Sequence, residues 1–382
     1  MIDNVMDLRG NKHYILDRIG SDGQGVLHAT KNNNILVRTA RTSPGHKESS
    51  DDRYENVKIL PLSDENSVDK LLMPIDFLNE PNVGYVLNIP EGFIPLSSLM
   101  NEQKISYKQR FGILSEVAKI LIKLHSMPIM YGSMSPLRIF VSPKEHIAYL
   151  LYSSKMDYTM RFKEETDDDP YIAPETANGQ GGTLASDSYA FGALSYDLLT
   201  HGDTILAPEL KEMLAKTQKE PENRPKIYEF HKMFMQQADQ ILTCKKCQAD
   251  FFYDVTECPK CAAPLPKMLK ATIYDTVLGT NVSRGLKILE FASQRQCFYN
   301  YHTETILMDD PIVPSIDCVL NITEGRKLNL IFKNLMKKEI TLNEKPVAAG
   351  QATVVPLPCE FIRITVPLHT KEVCRCIDMV MV

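Results

Sequence analysis

Four cysteines carry the clearest chemical spacing in the chain: Cys244-Lys-Lys-Cys247 and Cys258-Pro-Lys-Cys261, with ten residues between the pairs. Each C-x-x-C makes a small turn that presents two thiolates, and two such turns complete a tetrahedral four-sulfur set. In a chain of 382 residues whose start lacks the basic and apolar pattern of a secretory signal, this spacing favours Zn2+ over disulfides. A closed thiolate shell leaves no position for water, so the zinc is expected to be structural. Gln248 and Ala262 stand where a glycine commonly follows such a turn. A ribbon this small depends on its metal to fold. The remaining cysteines (Cys297, Cys318, Cys359, Cys374 and Cys376) read as free buried thiols.

A second set of residues could handle phosphate. Ile15–Ile19 leads into Gly20-Ser-Asp-Gly-Gln-Gly25-Val-Leu. Glycines between short apolar strands let backbone N–H groups approach a phosphate, and an ordinary hairpin uses the same residues. Asp22 adds a negative charge to the same turn, and Gly23 keeps the turn flexible. The next strand, Asn34–Arg38, ends on a cation. Further on, Tyr131-Gly-Ser-Met-Ser-Pro-Leu-Arg-Ile-Phe140 sets hydroxyls and a guanidinium in an apolar frame.

The elements that must position these groups are legible from periodicity. Residues 107–126 place Phe111, Leu114, Val117, Ala118, Leu121 and Leu124 at helical spacing, which predicts an amphipathic helix with one buried stripe. His125 reads as a helix-end residue. Gly84–Leu87 reads as a strand, Pro90–Gly92 as a turn and Pro95–Leu99 as a helix start. Residues 147–152 read as a strand and 228–241 as a helix, while 42–55 is polar and turn-rich.

These segments together resemble the protein-kinase family. Residues 131–140 align without a gap with the catalytic loop H-R-D-L-K-P-E-N-I-L. Gly20–Val26 is similar to the glycine-rich loop, with Gly20 and Gly25 at its first and third glycines and Asp22 at the second. Asn34–Arg38 is similar to the V-A-I-K strand, with Arg38 at the lysine. Tyr171-Ile-Ala-Pro-Glu175 resembles the A-P-E signature, residues 185–200 the helix S-D-V-Y-S-F-G-x-L-x-Y-E-L-L-T, and Glu222-Asn-Arg-Pro225 the late R-P motif.

The resemblance implies a fold and argues against its usual reaction. Ser133 takes the place of the catalytic-base Asp, Ser135 that of the Lys and Arg138 that of the metal-binding Asn. No Asp stands where D-F-G would follow residues 147–152, and Asp157 comes several residues late. Phosphoryl transfer needs metal ions held by carboxylates, so ATP/Mg2+ is not expected as a cofactor. Arginine at position 38 keeps the charge but is not equivalent to an ammonium. Glu55 is the nearest acid that could pair with Arg38, and Pro61 would stop its helix at once. The architecture is better kept: the resemblance implies a buried Glu175–Arg224 ion pair and an Asp187 that accepts from the backbone of 131–133.

Beyond residue 268, β-prone runs recur at 286–291, 318–322, 328–332, 339–342, 352–357 and 361–366. Turn residues between them, such as Asn343-Glu-Lys-Pro and Gly350, fit a sandwich. The expected fold class is therefore multidomain α+β: a bilobal kinase-like fold over 1–240 (lobes about 1–88 and 89–240), a zinc ribbon over 241–267, and a β-sandwich-like domain over 268–382. That order resembles bacterial serine/threonine-kinase-like proteins with a C-terminal ribbon. The resemblance implies a stress-response setting with phosphatase or von Willebrand-type partners.

Composition sets the remaining bounds. With 43% hydrophobic and 24% charged residues and a net charge of −5, nothing suggests a nucleic-acid surface. No apolar run reaches the ~18 residues of a membrane span, so a cytoplasmic protein is expected. The acidic run Lys163–Asp169 reads as a solvated loop that would repel nucleotide or dock a basic partner. The function expected is a pseudokinase acting as signalling scaffold or regulator. The alternatives are a divergent active kinase using Arg38 and another carboxylate, and a metal-independent nucleotide sensor working through Gly20, Gly25 and Arg38.

Overall fold

A computed structural model describes residues 4–22, 25–40, 67–102, 105–143, 147–153, 155–158, 170–200, 206–290, 295–306, 312–323, 327–368 and 373–382. Gly23, Glu55, Pro61 and the acidic run 163–169 lie outside the described residues. The chain divides into two compact units, Met1–Phe234 and Met235–Val382.

The first unit opens with a six-stranded antiparallel sheet. In spatial order its strands are Asn4–Met6, Lys12–Asp22, Gly25–Thr30, Ile35–Ala40, Gly84–Asn88 and Asp76–Phe77. Val5, Val37, Leu78 and Val86 form an apolar cluster within it. β-Branched residues at alternate positions suit a pleated, half-buried surface. A small second sheet joins Leu71–Leu72, Ala148–Leu151, Ile139–Val141 and Ile94–Pro95.

The rest of the unit is mainly helical. The helix Tyr107–Ser126 begins with a capping box: Ser106 Oγ accepts from the Gln109 N–H at 3.3 Å, and Gln109 Oε1 accepts from the Ser106 N–H at 3.0 Å. All six residues of its predicted stripe are buried. The helix Leu184–Thr200 is buried on most sides, and small residues allow that. At Gly192 a Cβ would lie 2.4 Å from Thr217 Cγ2, so only glycine fits there. Phe191 packs edge-on against Phe230, with ring centroids 5.5 Å apart.

The second unit contains the cysteine pairs and a β-rich region. Its larger sheet runs Thr280–Glu290, Met268–Val277, Val373–Met381, Ile362–Pro367, Ile340–Leu342 and Lys345–Val347. Its smaller sheet runs Arg295–Tyr299, Pro314–Thr323, Lys327–Asn334 and Ala352–Pro356. Ile273, Ile364 and Ile377 from the first sheet and Phe298, Ile316 and Phe332 from the second belong to one apolar core. Ile340–Leu342 turns into Lys345–Val347 through Asn343 (φ 46°) and Glu344 (φ 65°), the left-handed pair of a type I′ hairpin. A further apolar cluster joins Leu242, Phe251, Cys244 and Cys258 to Met268 and Ile288. The cysteine pairs and the β-rich region both fall within the second unit, Met235–Val382.

Candidate functional site

Asp22, Arg38 and Arg138 are brought together, and Asp22 is bonded to both arginines. Arg38 sits mid-sheet, opposite Leu27 on one side and Tyr85 on the other. Asp22 ends its strand facing Gly25. Arg138 closes the short 3-10 turn Pro136–Arg138, whose first residue is preset by proline. Asp22 accepts from both arginines: one carboxylate oxygen binds Arg38 Nη2, and the other lies 3.0 Å from Arg138 Nε. The side chains of Asp22, Arg38 and Arg138 are only 9%, 3% and 0% exposed.

Surrounding groups hold this trio. Arg138 Nη1 donates to the Tyr152 carbonyl at 3.4 Å, and the Tyr85 hydroxyl donates to the same oxygen at 3.1 Å. Leu137 presses on the glycine strand, because a Cβ on Gly20 would lie 2.7 Å from Leu137 Cδ1. Among the described residues, Arg38 Nη1 and Ser135 Oγ are buried without a hydrogen-bond partner. Burial and the nearby Arg138 charge hold Arg38 below the usual guanidinium range. Burial pushes Arg138 the same way, but the Asp22 carboxylate together with Tyr131 and Tyr85 outweighs it and raises Arg138.

The loop at 131–134 is fixed from below. Asp187 accepts from the N–H groups of Tyr131 at 2.7 Å and Gly132 at 2.9 Å, and His125 Nε2 lies 3.0 Å away. His125 therefore does more than end its helix. Gly132 has φ 78°, and a Cβ there would lie 2.7 Å from the Lys155 carbonyl, so glycine is required. Ser133 lines a small cleft with Met130, Met134, Lys155 and Tyr171. Asp157 lies in a short strand paired with Met130.

Deeper in the same unit, Arg224 grips Glu175 with two parallel bonds of 2.6 and 2.8 Å. Ser186 Oγ donates to the same carboxylate at 2.9 Å. Desolvation raises the Glu175 pKa, but these donors prevail and hold it below the usual carboxylate range.

Among the described residues, one group of three or more His, Cys, Asp or Glu side chains is placed to hold a metal: Cys244, Cys247, Cys258 and Cys261, with all sulfurs within 4.8 Å of one another. Cys244 and Cys261 are 3.6 Å apart, as are Cys247 and Cys258. The two turns repeat each other. Gln248 N–H donates to the Cys244 carbonyl at 2.9 Å, and Ala262 N–H to the Cys258 carbonyl at 2.8 Å. Both Gln248 (φ 58°) and Ala262 (φ 51°) adopt the left-handed conformation that a glycine would take without strain. The Cys247 N–H lowers the Cys244 thiol, while burial and the neighbouring thiols raise Cys261; a bound cation would favour the thiolate in all four. Four thiols converging in this way fit a tetrahedral divalent ion.

No family model matches the chain. Over 142 residues, 36% of the chain, it is 27% identical to human ribosomal protein S6 kinase alpha-2, covering 19% of that protein. Over 156 residues, 40% of the chain, it is 25% identical to rat ribosomal protein S6 kinase alpha-1, covering 21% of it. Over 127 residues it is 27% identical to mouse ribosomal protein S6 kinase alpha-3, covering 17%. The chain thus spans about a fifth of the length of these curated relatives. This distant, partial similarity supports a kinase-like ancestry for the chain. No helix among the described residues is long and apolar enough to cross a membrane.

Proposed function

We propose that this chain is a pseudokinase: a kinase-shaped scaffold or regulator that works through protein–protein contacts and does not transfer phosphate. The observation that carries the reading is the Asp22 carboxylate shared between Arg38 and Arg138. A nucleotide phosphate brought to Arg38 would meet that carboxylate and would have to displace a buried ion pair. Leu137 against Gly20 narrows the same space. The four cysteines are proposed to hold a structural Zn2+, with the β-rich region as a sandwich-like docking module for signalling partners.

A second reading, a metal-independent nucleotide sensor, draws support from one atom. Arg38 Nη1 is a buried donor without a partner among the described residues, and an anion would satisfy it. Thermal unfolding with ATP, with and without Mg2+ or Mn2+, separates the readings. The pseudokinase gives no shift in either condition. Equal stabilisation with and without metal would select the sensor. Stabilisation that needs metal, with label transferred from ATP to protein, would establish an active kinase and sink the proposal.

A further inference from the structure

The strand Val373–Met381 carries a second pair of thiols away from the four-cysteine cluster. Arg375 points into the core, where it pairs with Asp275, and its side chain is 4% exposed. Strand alternation therefore puts Cys374 and Cys376 on the opposite face. There Cys374 lies opposite Thr276 and Cys376 opposite Tyr274. The two sulfurs are 3.8 Å apart, and the Thr276 hydroxyl lies 3.8 Å from Cys376 Sγ. Cys376 is buried, and Cys374 is half-buried and forms the approach from solvent.

This spacing suits one kind of chemistry better than another. Two residues along a strand separate Cβ atoms by roughly 6.5–7 Å, while a disulfide needs about 3.5–4.5 Å. Closing that bond would break the pairing on both sides, since the strand is hydrogen-bonded to Met268–Val277 and Ile362–Pro367. The Arg375–Asp275 ion pair also pins its register. By contrast, two thiolates about 2.3 Å from a tetrahedral ion lie roughly 3.7–3.8 Å apart. The paired sulfurs of the four-cysteine cluster, at 3.6 Å, show nearly the same spacing.

We propose that Cys374 and Cys376 form a second site, for a soft divalent cation of the Zn2+ or Cd2+ class, bound by two thiolates with solvent completing the shell. Binding releases one proton from each thiol and changes no oxidation state. With two protein ligands the site is weaker than the four-cysteine cluster, and solvent-derived positions leave it exchangeable.

The test counts Zn2+ per chain on the reduced 382-residue protein, by native mass spectrometry and by competition with a chromophoric chelator. Wild type should take up two ions, one tight and one weaker. Cys374→Ser/Cys376→Ser should take up the tight ion alone, and Cys359→Ser should still take two. Retention of the tight ion and of the far-UV circular dichroism shows that the double variant is folded; if it is not, Cys374→Ser alone serves, since it alters the solvent side of the pair. A wild type that stops at one ion, a double variant that keeps two, or a Cys359→Ser protein that loses the second would each overturn the proposal.

Discussion

One oxygen of the Asp22 carboxylate binds Arg38 and the other binds Arg138, so two residues 116 positions apart in sequence, Asp22 and Arg138, are locked together. Both guanidiniums are buried, and one carboxylate serves both, so the trio keeps one positive charge in excess. Removing that carboxylate leaves two buried cations without a counter-charge. Asp22→Ala is expected to destabilise the first unit by about 3–5 kcal/mol, the cost of breaking a buried pair from one side. Asp22→Ala/Arg138→Met should cost clearly less than the sum of the single changes. Urea unfolding of the four members of this cycle checks both; additive effects would show that the contact carries no coupling.

Leu137 and Gly20 form the apolar side of the same closure. A Cβ on Gly20 would come within 2.7 Å of a leucine methyl, so Gly20→Ala must push that side chain aside. Overpacking of this kind costs about 1–3 kcal/mol. Shortening the neighbour should relieve it, so Gly20→Ala should be markedly less harmful in a Leu137→Ala background. Equal penalties in the two backgrounds would show that Leu137 is not the obstacle.

Glu175 and Arg224 fix the helical part of the unit from 49 residues apart. Glu175→Gln keeps the shape but leaves Arg224, with 3% of its side chain exposed, without its anion. The expected loss is about 3–5 kcal/mol, read as a lower urea midpoint. Arg224→Lys should not rescue the site, because an ammonium cannot make the two parallel bonds.

Much of this architecture was legible because it is local. The helical stripe of 107–126 and the turns at Cys244–Cys247 and Cys258–Cys261 declare themselves within a few residues. The Asp22 bridge was not legible in that way. Its three members were each readable as substitutions, one acidic and two basic. That one carboxylate bridges both arginines depends on a hairpin, a central strand and a 3-10 turn meeting in space. The strand Met268–Val277 was missed for a related reason. Lys270, Thr272 and Asp275 interrupt its apolar pattern, and Asp275 is 2% exposed because Arg375, 100 residues later, and Arg284 pair with it. Long-range charge pairing leaves no periodic signal.

The thiolate turns offer a gain of stability. Gln248 and Ala262 hold positive φ in equivalent places, and a side chain in that region costs about 1–2 kcal/mol. Glycine removes that strain and returns part of it as unfolded-chain entropy. Gln248→Gly and Ala262→Gly should each stabilise the zinc-loaded second unit by roughly 0.5–1 kcal/mol, and the pair should be additive. Thermal melts with and without excess chelator measure this. A loss of stability on either substitution would mean that the native side chain contributes more than its backbone strain costs.

His231 sets a pH dependence in the first unit. Its Nδ1 lies 3.0 Å from Ser115 Oγ, and burial, followed by the charge of Lys119, pushes its pKa from 6.5 down to about 4. Between those values the unfolded chain binds a proton that the folded chain refuses. Stability from this group is therefore complete above about 6.5, declines as pH falls, and is fully lost below about 4. His231→Gln keeps a hydrogen-bonding group and removes the titration. Its stability, from urea midpoints between pH 7 and pH 4, should fall less steeply than that of wild type, so the two curves converge toward acid. Parallel curves across that window would show that His231 is protonated as easily in the folded protein as in the unfolded chain.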